Sequence, residues 1–267
     1  MSDSLTKPRL KSKPSTKNTD SFPPALILAG GLGTRLRAAY AAGPKSMAPI
    51  AGRPFLDYLL RWLRSAGVQE VILCVGYKRS HIQRCVGKGR KWGLRVTYSI
   101  EKELLGTGGA VKKAARLIRG KTVFVVNGDT FVNVDLKTMA RFHRNRRALA
   151  TLAVVKVPDH GRYGSLYLNT NGRVTAFLEK VERDPRSKEV RMQPINAGVY
   201  VLEKRLLNNI GARRPMSLEK NVFPELIATK KVYGLLKNAY FIDIGVPEDL
   251  RRAQIELPKQ FIAYDPR

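Results

Sequence analysis

The chain has 267 residues, of which 43% are hydrophobic and 26% are charged, a composition typical of a globular protein that buries a substantial core. No apolar run approaches the roughly 18 residues of a membrane span. The polar, basic N-terminus also lacks an apolar secretory region. These features exclude an integral membrane protein and predict a cytoplasmic one with no membrane partner.

The charge is strongly positive, because 49 Lys and Arg residues against 21 Asp and Glu residues give a formal net charge of +28. Such a surface attracts polyanions, so nucleic-acid binding is one hypothesis and steering of small phosphorylated substrates is another. The basic residues are spread along the chain and form no recognisable nucleic-acid-binding motif. We therefore favour phosphorylated small molecules and disfavour nucleic acid as the main partner.

Residues 1–22 differ from the rest of the chain in composition. They combine basic residues with Ser, Thr and Pro, and they contain too little apolar surface to offset the entropy of ordering. The sequence therefore predicts a flexible basic tail at 1–22 and one compact domain at 23–267. We expect no second domain, since the chain contains no internal repeat and no other domain-sized linker.

The first half alternates between apolar strands and amphipathic helices. The predicted elements are strands at 25–29, 71–75, 96–99 and 122–126, a helix spanning Phe55 to Ala66, and a helix beginning near Thr107. Strands separated by helices predict a Rossmann-like, doubly wound α/β sheet. Ligands bind beyond the carboxyl ends of the strands in such sheets, which is where Asn127, Gly128 and Asp129 stand.

The second half is rich in β-strand patterns. Predicted strands lie at 150–157, 165–168, 174–180 and 197–202, with turn residues such as Asn171-Gly172 between them. We interpret these strands as a mixed extension of the sheet that completes the ligand pocket.

The first predicted strand leads into a glycine-rich turn at residues 30–35, Gly-Gly-Leu-Gly-Thr-Arg. Glycines let the backbone approach a phosphate closely, and Arg35 adds a permanently charged donor. The turn is neither a GxGxxG dinucleotide motif, since Leu36 takes the last glycine position, nor a Walker loop. Glycines in such a turn can serve only to let the chain change direction. Lys45, which follows Pro44, supplies a second cation. Together they favour a phosphate-binding loop.

Three histidines, His81, His143 and His160, stand far apart in polar, basic surroundings. None has a serine, cysteine or metal partner at motif spacing, so the sequence does not support triad chemistry. We interpret them as surface residues.

Six ordered segments resemble the sugar-1-phosphate nucleotidyltransferase family, and the resemblance extends from about residue 24 to residue 256. The segments are 28–36 with Pro44-Lys45, 105–110, 127–129, 177–180, 196–200 and 241–245. Each segment is weak by itself, but six in order are a specific pattern. The resemblance implies a nucleotidyltransferase with a Rossmann-like, mixed-sheet domain and a β-rich sugar-binding part.

Residue roles follow from the same resemblance. It implies that Arg35 and Lys45 are catalytic and that Asp129 and Asp243 bind Mg²⁺. The implied nucleotide-binding residues are Leu28, Gly30, Gly31, Gly33, Thr34, Glu103, Gly106, Thr107 and Gly108. The implied sugar-phosphate-binding residues are Gly164, Glu179, Lys180 and Asn196. Two carboxylates at strand ends also suit a hard, oxygen-preferring cation, although Asp129 alone could be an ordinary turn residue.

Within this family the segments at 105–110, 217–220 and 241–249 look most like D-glycero-D-manno-heptose 1-phosphate guanylyltransferases. GTP is therefore the first choice of donor and a sugar 1-phosphate the acceptor. UTP, CTP and dTTP remain alternatives, as do mannose-1-phosphate guanylyltransferase and other NDP-sugar pyrophosphorylase activities. A catalytically silent regulatory relative, a nucleic-acid-binding relative and a homo-oligomer are further hypotheses.

Overall fold

The computed structural model describes residues 22–36, 39–158, 163–178, 192–211 and 215–262. The helices are α1 (Phe55–Ser65), α2 (Arg79–Val86), α3 (Gly106–Ala114), α4 (Leu136–Asn145), α5 (Lys204–Asn209), α6 (Phe223–Ile227) and α7 (Pro247–Gln260). Short 3₁₀ turns lie at Thr34–Leu36, Lys45–Met47, Arg90–Trp92 and Ala115–Leu117, and a π-helical turn lies at Leu218–Val222. No helix among the described residues is long and apolar enough to cross a bilayer.

The strands follow the predicted alternation closely. They are β1 (Ala25–Ala29), β2 (Pro49–Ile50), β3 (Arg53–Pro54), β4 (Glu70–Val75), β5 (Arg95–Ile100), β6 (Thr122–Asn127), β7 (Thr130–Val132), β8 (Ala150–Val157), β9 (Ser165–Leu168), β10 (Val174–Leu178), β11 (Gln193–Glu203), β12 (Val232–Leu236) and β13 (Phe241–Asp243). Strand β11 begins before the predicted residue 197, because its first half pairs with β8 and β9 and its second half with β6.

Nine of the described strands form one mixed sheet in the order β10-β9-β11-β6-β1-β4-β5, with β8 beside β11 and β12 beside β8. Strands β6, β1, β4 and β5 run parallel. Strand β11 runs antiparallel to β6 and begins the β-rich extension. The predicted Rossmann-like mixed sheet is confirmed.

Both faces of the central strands are buried. In β1, Ile27 packs in one hydrophobic cluster with residues of α1, α4 and α7, whereas Leu26 packs in the other with residues of α3, α5 and α6. Such double burial explains why the strands appear in the sequence as continuous apolar runs rather than as alternating patterns. The helices on the two faces leave the carboxyl edge of the parallel strands as the place for a polar site.

Two strand ends and one short ribbon converge at that edge. Strands β1 and β6 are parallel neighbours, so the turn after Ala29 lies beside the turn after Asn127. Strand β13 pairs with β7, and this register sets Asp243 opposite Thr130, the residue after Asp129. Two acids that are far apart in sequence are therefore adjacent in space.

Candidate active site

The glycine-rich turn after β1 forms the wall of a cavity of about 200 Å³. Its lining residues are Leu28, Ala29, Gly31, Gly33, Thr34, Arg35, Lys45, Ser46, Gly128, Asp129 and Gly245. Backbone N–H groups, a guanidinium and an ammonium are the groups that bind phosphates in such turns. The side-chain oxygen of Ser46 is buried without a hydrogen-bond partner among the described residues, so the cavity also offers an unused polar atom.

Two glycines in this cavity are required by geometry. Gly33 has φ +59°, and a Cβ atom there would lie 3.2 Å from the Cβ atom of Lys45. A Cβ atom on Gly128 would lie 2.5 Å from the carbonyl oxygen of Leu28. A larger residue at either position would push apart the loops that bring Lys45 and Asp129 together.

Lys45 lies between the two acids. Its Nζ donates to Asp129 Oδ2 at 2.7 Å and to Asp243 Oδ1 at 3.3 Å. Thr130 Oγ1 donates to Asp129 Oδ1 at 3.2 Å, and the Gly245 N–H donates to Asp243 Oδ1 at 2.7 Å. The Lys45 side chain is 12% exposed, whereas those of Asp129 and Asp243 are 35% and 24% exposed. The acids therefore remain accessible from the cavities.

The three charges shift one another. Burial lowers the pKa of Lys45, but the carboxylates of Asp129 and Asp243 outweigh that effect and raise the pKa above its ordinary value. Burial raises the pKa of Asp129, yet the Lys45 ammonium outweighs it and lowers that pKa. For Asp243, burial and the charge of Asp129 prevail over Lys45 and raise the pKa. One ammonium thus does not fully compensate two carboxylates.

This donor set fits a divalent metal ion. Among the described residues there is no cluster of three or more His, Cys, Asp or Glu side chains that could hold a metal by themselves. Mg²⁺ is commonly bound by one or two carboxylates, with phosphates and water filling the remaining positions. Asp129 and Asp243 provide those two carboxylates and one negative charge in excess over Lys45.

A second cavity of about 260 Å³ adjoins the first and shares Arg35 and Asp129 with it. Its remaining lining residues are Thr107, Asn127, Thr130, Tyr163, Gly164, Phe177, Asn196, Gly198, Ser217, Glu219, Phe241 and Asp243. The rings of Tyr163 and Phe241 meet edge to face with centroids 5.3 Å apart. Hydroxyl, amide and carboxylate groups beside aromatic rings suit a polar ligand with an apolar face, such as a sugar.

Glu219 organises one side of this second cavity. It accepts hydrogen bonds from Thr107 Oγ1 at 2.7 Å, Ser217 Oγ at 2.8 Å and the Tyr200 hydroxyl at 3.1 Å. The Tyr200 hydroxyl in turn accepts from Asn196 Nδ2 at 2.8 Å. Burial and the Glu219 carboxylate raise the pKa of Tyr200 well above its ordinary value, so Tyr200 stays a donor. The network links three separate segments of chain.

The predicted site residues are distributed unevenly. Leu28, Gly31, Gly33, Thr34, Arg35, Lys45 and Asp129 line the first cavity, and Thr107, Gly164, Asn196 and Asp243 line the second. Gly30 lies in the same turn, where a Cβ atom would come within 2.7 Å of Glu101 Oε1. Gly106 and Gly108 begin α3, and the Gly108 N–H donates to Met216 O at 2.8 Å. Glu179 and Lys180 lie outside the described residues.

Sequence reasoning missed several residues. Glu101, which the sequence does not single out, is buried against the glycine-rich turn, whereas Glu103 is exposed and its nucleotide-binding role stays a prediction. Burial raises the pKa of Glu101. The sequence places Glu219 only within the family-like segment 217–220, because an acid shortly after the N-cap Ser217 is typical of the first turn of a helix. Its role as a shared acceptor depends on Tyr200 and Thr107, which no local pattern connects to it.

One of the three histidines differs from expectation. His143 was interpreted as a surface residue, but it is 3% exposed and shares a hydrogen bond of 2.9 Å with Thr151 Oγ1. His143 lies on the buried face of α4 with Leu136 and Met139, so an imidazole occupies a position where an apolar side chain is expected. His160 lies outside the described residues.

The fold and the two joined cavities define an α/β protein with a glycine-rich turn that lines a cavity at the carboxyl ends of parallel strands. The profile of the nucleotidyl transferase family matches residues 24–260. The chain therefore belongs to the nucleotidyl transferase family, and the membership expected from the six segments is confirmed.

Two relatives and one solved structure illustrate the similarity. The chain is 41% identical to D-glycero-alpha-D-manno-heptose 1-phosphate guanylyltransferase from Aneurinibacillus thermoaerophilus, over 87% of this chain and 97% of that protein. It is 40% identical to mannose-1-phosphate guanylyltransferase from Mycobacterium tuberculosis, over 87% of this chain but 64% of that protein. HddC from Yersinia pseudotuberculosis superposes with a TM-score of 0.77 at 34% identity, over 88% of this chain and 99% of HddC. HddC has also been solved in complex with GMP-PN.

Proposed function

We propose that this protein transfers GMP from GTP to a sugar 1-phosphate, releasing pyrophosphate, and that the acceptor is D-glycero-α-D-manno-heptose 1-phosphate. The observation that carries the proposal is the position of Lys45 between Asp129 and Asp243, where a glycine-lined cavity meets a polar, aromatic one. The similarity to a heptose 1-phosphate guanylyltransferase over nearly the whole of that relative supports this choice of substrates.

The first cavity is proposed to hold the triphosphate. Its glycine turn presents backbone N–H groups, and Arg35 and Lys45 neutralise phosphate charge. The unpartnered Ser46 hydroxyl is available to a ligand in the same cavity. A Mg²⁺ ion held by Asp129 and Asp243 would supply further charge neutralisation at the phosphates. These two acids fit that ion because their combined charge exceeds that of Lys45.

The second cavity is proposed to hold the sugar phosphate. Asn196 is held by Tyr200 and by the Gly198 N–H, so its own hydrogen bonds position it at the cavity wall. Glu219 holds Thr107 and Ser217 in the same wall. Asn127 has a buried side-chain oxygen with no partner among the described residues, which a sugar hydroxyl would satisfy. Gly164 completes the wall, and Glu179 and Lys180 remain proposed sugar-phosphate ligands.

The proposed reaction is a direct displacement. An oxygen of the sugar phosphate attacks the α-phosphorus of GTP, the bond from that phosphorus to the β-phosphate bridging oxygen breaks, and pyrophosphate leaves. Such a transfer needs no protein nucleophile, because positioning and charge stabilisation supply the rate. Arg35 and Lys45 border the place where the two cavities meet, so among the described residues they are proposed to stabilise the developing charge. Residues 23–267 are proposed to form this one catalytic domain.

A pyrophosphate-release screen tests the proposal. Purified protein with Mg²⁺ would be offered GTP, UTP, CTP and dTTP in all pairings with the 1-phosphates of heptose, mannose, glucose and N-acetylglucosamine. We expect the highest kcat/KM for GTP with the heptose phosphate, and no release from an Asp129→Ala control. Release from no pairing, or equal release from the control, would overturn the assignment.

Mannose 1-phosphate is the second candidate acceptor, because the chain is 40% identical to a mannose-1-phosphate guanylyltransferase. The same screen separates the two, since both reactions use GTP and differ only at the second cavity. A higher kcat/KM with mannose 1-phosphate would select this alternative.

A further inference from the structure

A large basic groove lies outside the two cavities of the active site, with a volume of about 780 Å³. It is lined by six cationic residues, Lys121, Lys137, Arg141, Arg144, Arg147 and Arg205. Among the described lining residues the single acid is Glu203, which lies 3.6 Å from Arg205 Nε. The cations therefore exceed the acids by five in this groove.

The groove lies at the other end of the strands that carry the active site. Lys121 directly precedes β6 and Thr122 begins it, whereas Asn127 ends it and leads to Asp129. A strand advances about 3.3 Å per residue, so the two ends of β6 are separated by about 16 Å. The groove is therefore a separate place, and its cations do not contribute to the proposed transfer reaction.

Several cations of the groove lack a carboxylate partner among the described residues, although Arg141 donates to Thr138 Oγ1 at 3.4 Å. Lys137 and Arg141 are exposed on α4 and, in the part of the chain that the structure describes, neither forms an ion pair with a carboxylate. Arg147 is likewise exposed and, by the same test, unpaired, and it adopts φ 46° just after the helix. Like charges at close range repel one another, so a protein gains nothing from this concentration unless an anion occupies it.

The floor of the groove adds a second polar feature. His143 lines it and is 3% exposed, and its Nε2 atom lies 3.6 Å from Glu203 Oε1 without forming a hydrogen bond among the described residues. Phe22, Pro23 and Val201 supply apolar surface beside it. A cavity of a few hundred cubic ångströms with mixed apolar and polar walls matches the sites that enclose small molecules. Nucleic acid more commonly occupies broad, open surfaces.

We propose that the groove lined by α4 and by the start of β6 binds a small molecule that carries two or more phosphate groups. The chemistry that recognises it is the set of guanidinium and ammonium groups, which form short charge-assisted hydrogen bonds with phosphate oxygens. The segment preceding Phe22 is a poor occupant, because Lys7, Arg9, Lys11, Lys13 and Lys17 make it basic as well.

Calorimetric titration with inorganic tripolyphosphate at physiological salt tests this site. The titration would use Lys45→Ala protein, in which binding at the active site is weakened. We expect the Lys45→Ala protein still to bind tripolyphosphate in the groove. Adding Lys137→Ala and Arg141→Ala should raise the Kd about tenfold or more, since each phosphate contact is charge-assisted. Both side chains are exposed, so the fold should survive, as thermal melting would verify.

A matched pair of substitutions controls for net charge. Arg84→Ala with Lys88→Ala removes the same charge from exposed positions in and after α2, and we expect it to leave tripolyphosphate binding unchanged. Equal weakening by both pairs, or no effect of the α4 pair, would refute the site. Binding of a 20-nucleotide single-stranded RNA that depends on the α4 pair, with no tripolyphosphate binding, would also refute it in favour of nucleic acid.

The α4 pair separates this inference from the proposed function. In otherwise unaltered protein, Lys137→Ala with Arg141→Ala should retain basal pyrophosphate release measured without tripolyphosphate. If this variant loses tripolyphosphate binding but keeps full activity, the groove and the transfer reaction are independent. If the unaltered protein shows no transfer activity, the titration still tests the groove by itself. A large loss of basal activity in the α4 pair would contradict a separate site.

Discussion

The two ends of strand β6 differ in the ratio of cations to acids. At the carboxyl end Lys45 is enclosed by Asp129 and Asp243, with Nζ–O distances of 2.7 and 3.3 Å. At the other end six cations share a groove with Glu203 as the acid among the described lining residues. A cation held between two acids has a well-defined position. An excess of cations holds an anion but provides no such positioning.

The largest expected effect is at Lys45. Lys45→Ala should reduce kcat for pyrophosphate release by about 10²–10³, the usual range for losing one preorganised charge-stabilising donor. The substitution also leaves Asp129 and Asp243 side by side without their shared ammonium. Steady-state kinetics with GTP and a sugar 1-phosphate measure the effect, and Arg84→Ala is the control. If Lys45→Ala retained half of the turnover, the cation at the carboxyl end of β6 would be no more important for catalysis than those in the groove.

The next largest effect concerns the Mg²⁺ requirement, which both acids beside Lys45 should influence in the same direction. Asp129→Asn and Asp243→Asn should each raise the Mg²⁺ concentration for half-maximal activity, by about tenfold or more, because each removes a charged ligand. Titration of activity with MgCl₂ gives this value. Glu203→Gln in the groove is the control and should leave this Mg²⁺ concentration unaltered. An equal Mg²⁺ requirement in all three variants would show that Asp129 and Asp243 bind no metal.

Glu219 sharpens the comparison within the active site. Glu219→Gln replaces one acceptor oxygen by an amide that cannot accept from Thr107, Ser217 and Tyr200 as the carboxylate does. We expect KM for the sugar phosphate to rise about tenfold, in line with the cost of an unsatisfied buried hydroxyl, with KM for GTP nearly constant. A rise in both KM values would show that Glu219 supports the whole fold rather than the second cavity.

The smallest effect on activity is expected in the groove, where the predicted change concerns stability instead. Burial lowers the pKa of His143 from 6.5 to about 4. Between these values the unfolded chain binds a proton that the folded chain does not, so the free energy of unfolding falls as the pH falls through this window. The slope contributed is about 1.4 kcal/mol per pH unit. Urea unfolding between pH 4 and 7 measures it, and His143→Gln should remove that component. An identical slope in the variant would mean that His143 is protonated in the fold.

Much of the fold was predictable because its information is local. The apolar run at 122–126 and the helical spacing from Phe55 onward are consequences of burial on one or two faces, and they match β6 and α1 to within a residue or so. The glycine-rich turn that lines the first cavity was equally predictable, since its glycines and Arg35 are contiguous in sequence. Contiguous patterns survive in sequence because neighbouring residues share the same environment.

The misses share another cause. Glu219 accepts hydrogen bonds from Ser217 in its own segment and from Thr107 and Tyr200 in two other segments. Glu101, the residue after β5, packs against Gly30 of the glycine-rich turn. His143 is buried because α4 presents it to Thr151 of β8. Such relations depend on which segments become neighbours, and the spacing of residues along the chain does not contain that information.

The sequence by itself determined the family, the order of the longer strands of the main sheet, and the glycine-rich turn with its neighbouring cations, because each is a local pattern. Tertiary structure decided that Asp243 joins Asp129 at Lys45, through the pairing of β13 with β7. It also decided that six scattered cations share one groove at the other end of β6. Electrostatic interactions fall with distance in space rather than along the chain, so only folding could reveal which charges act together.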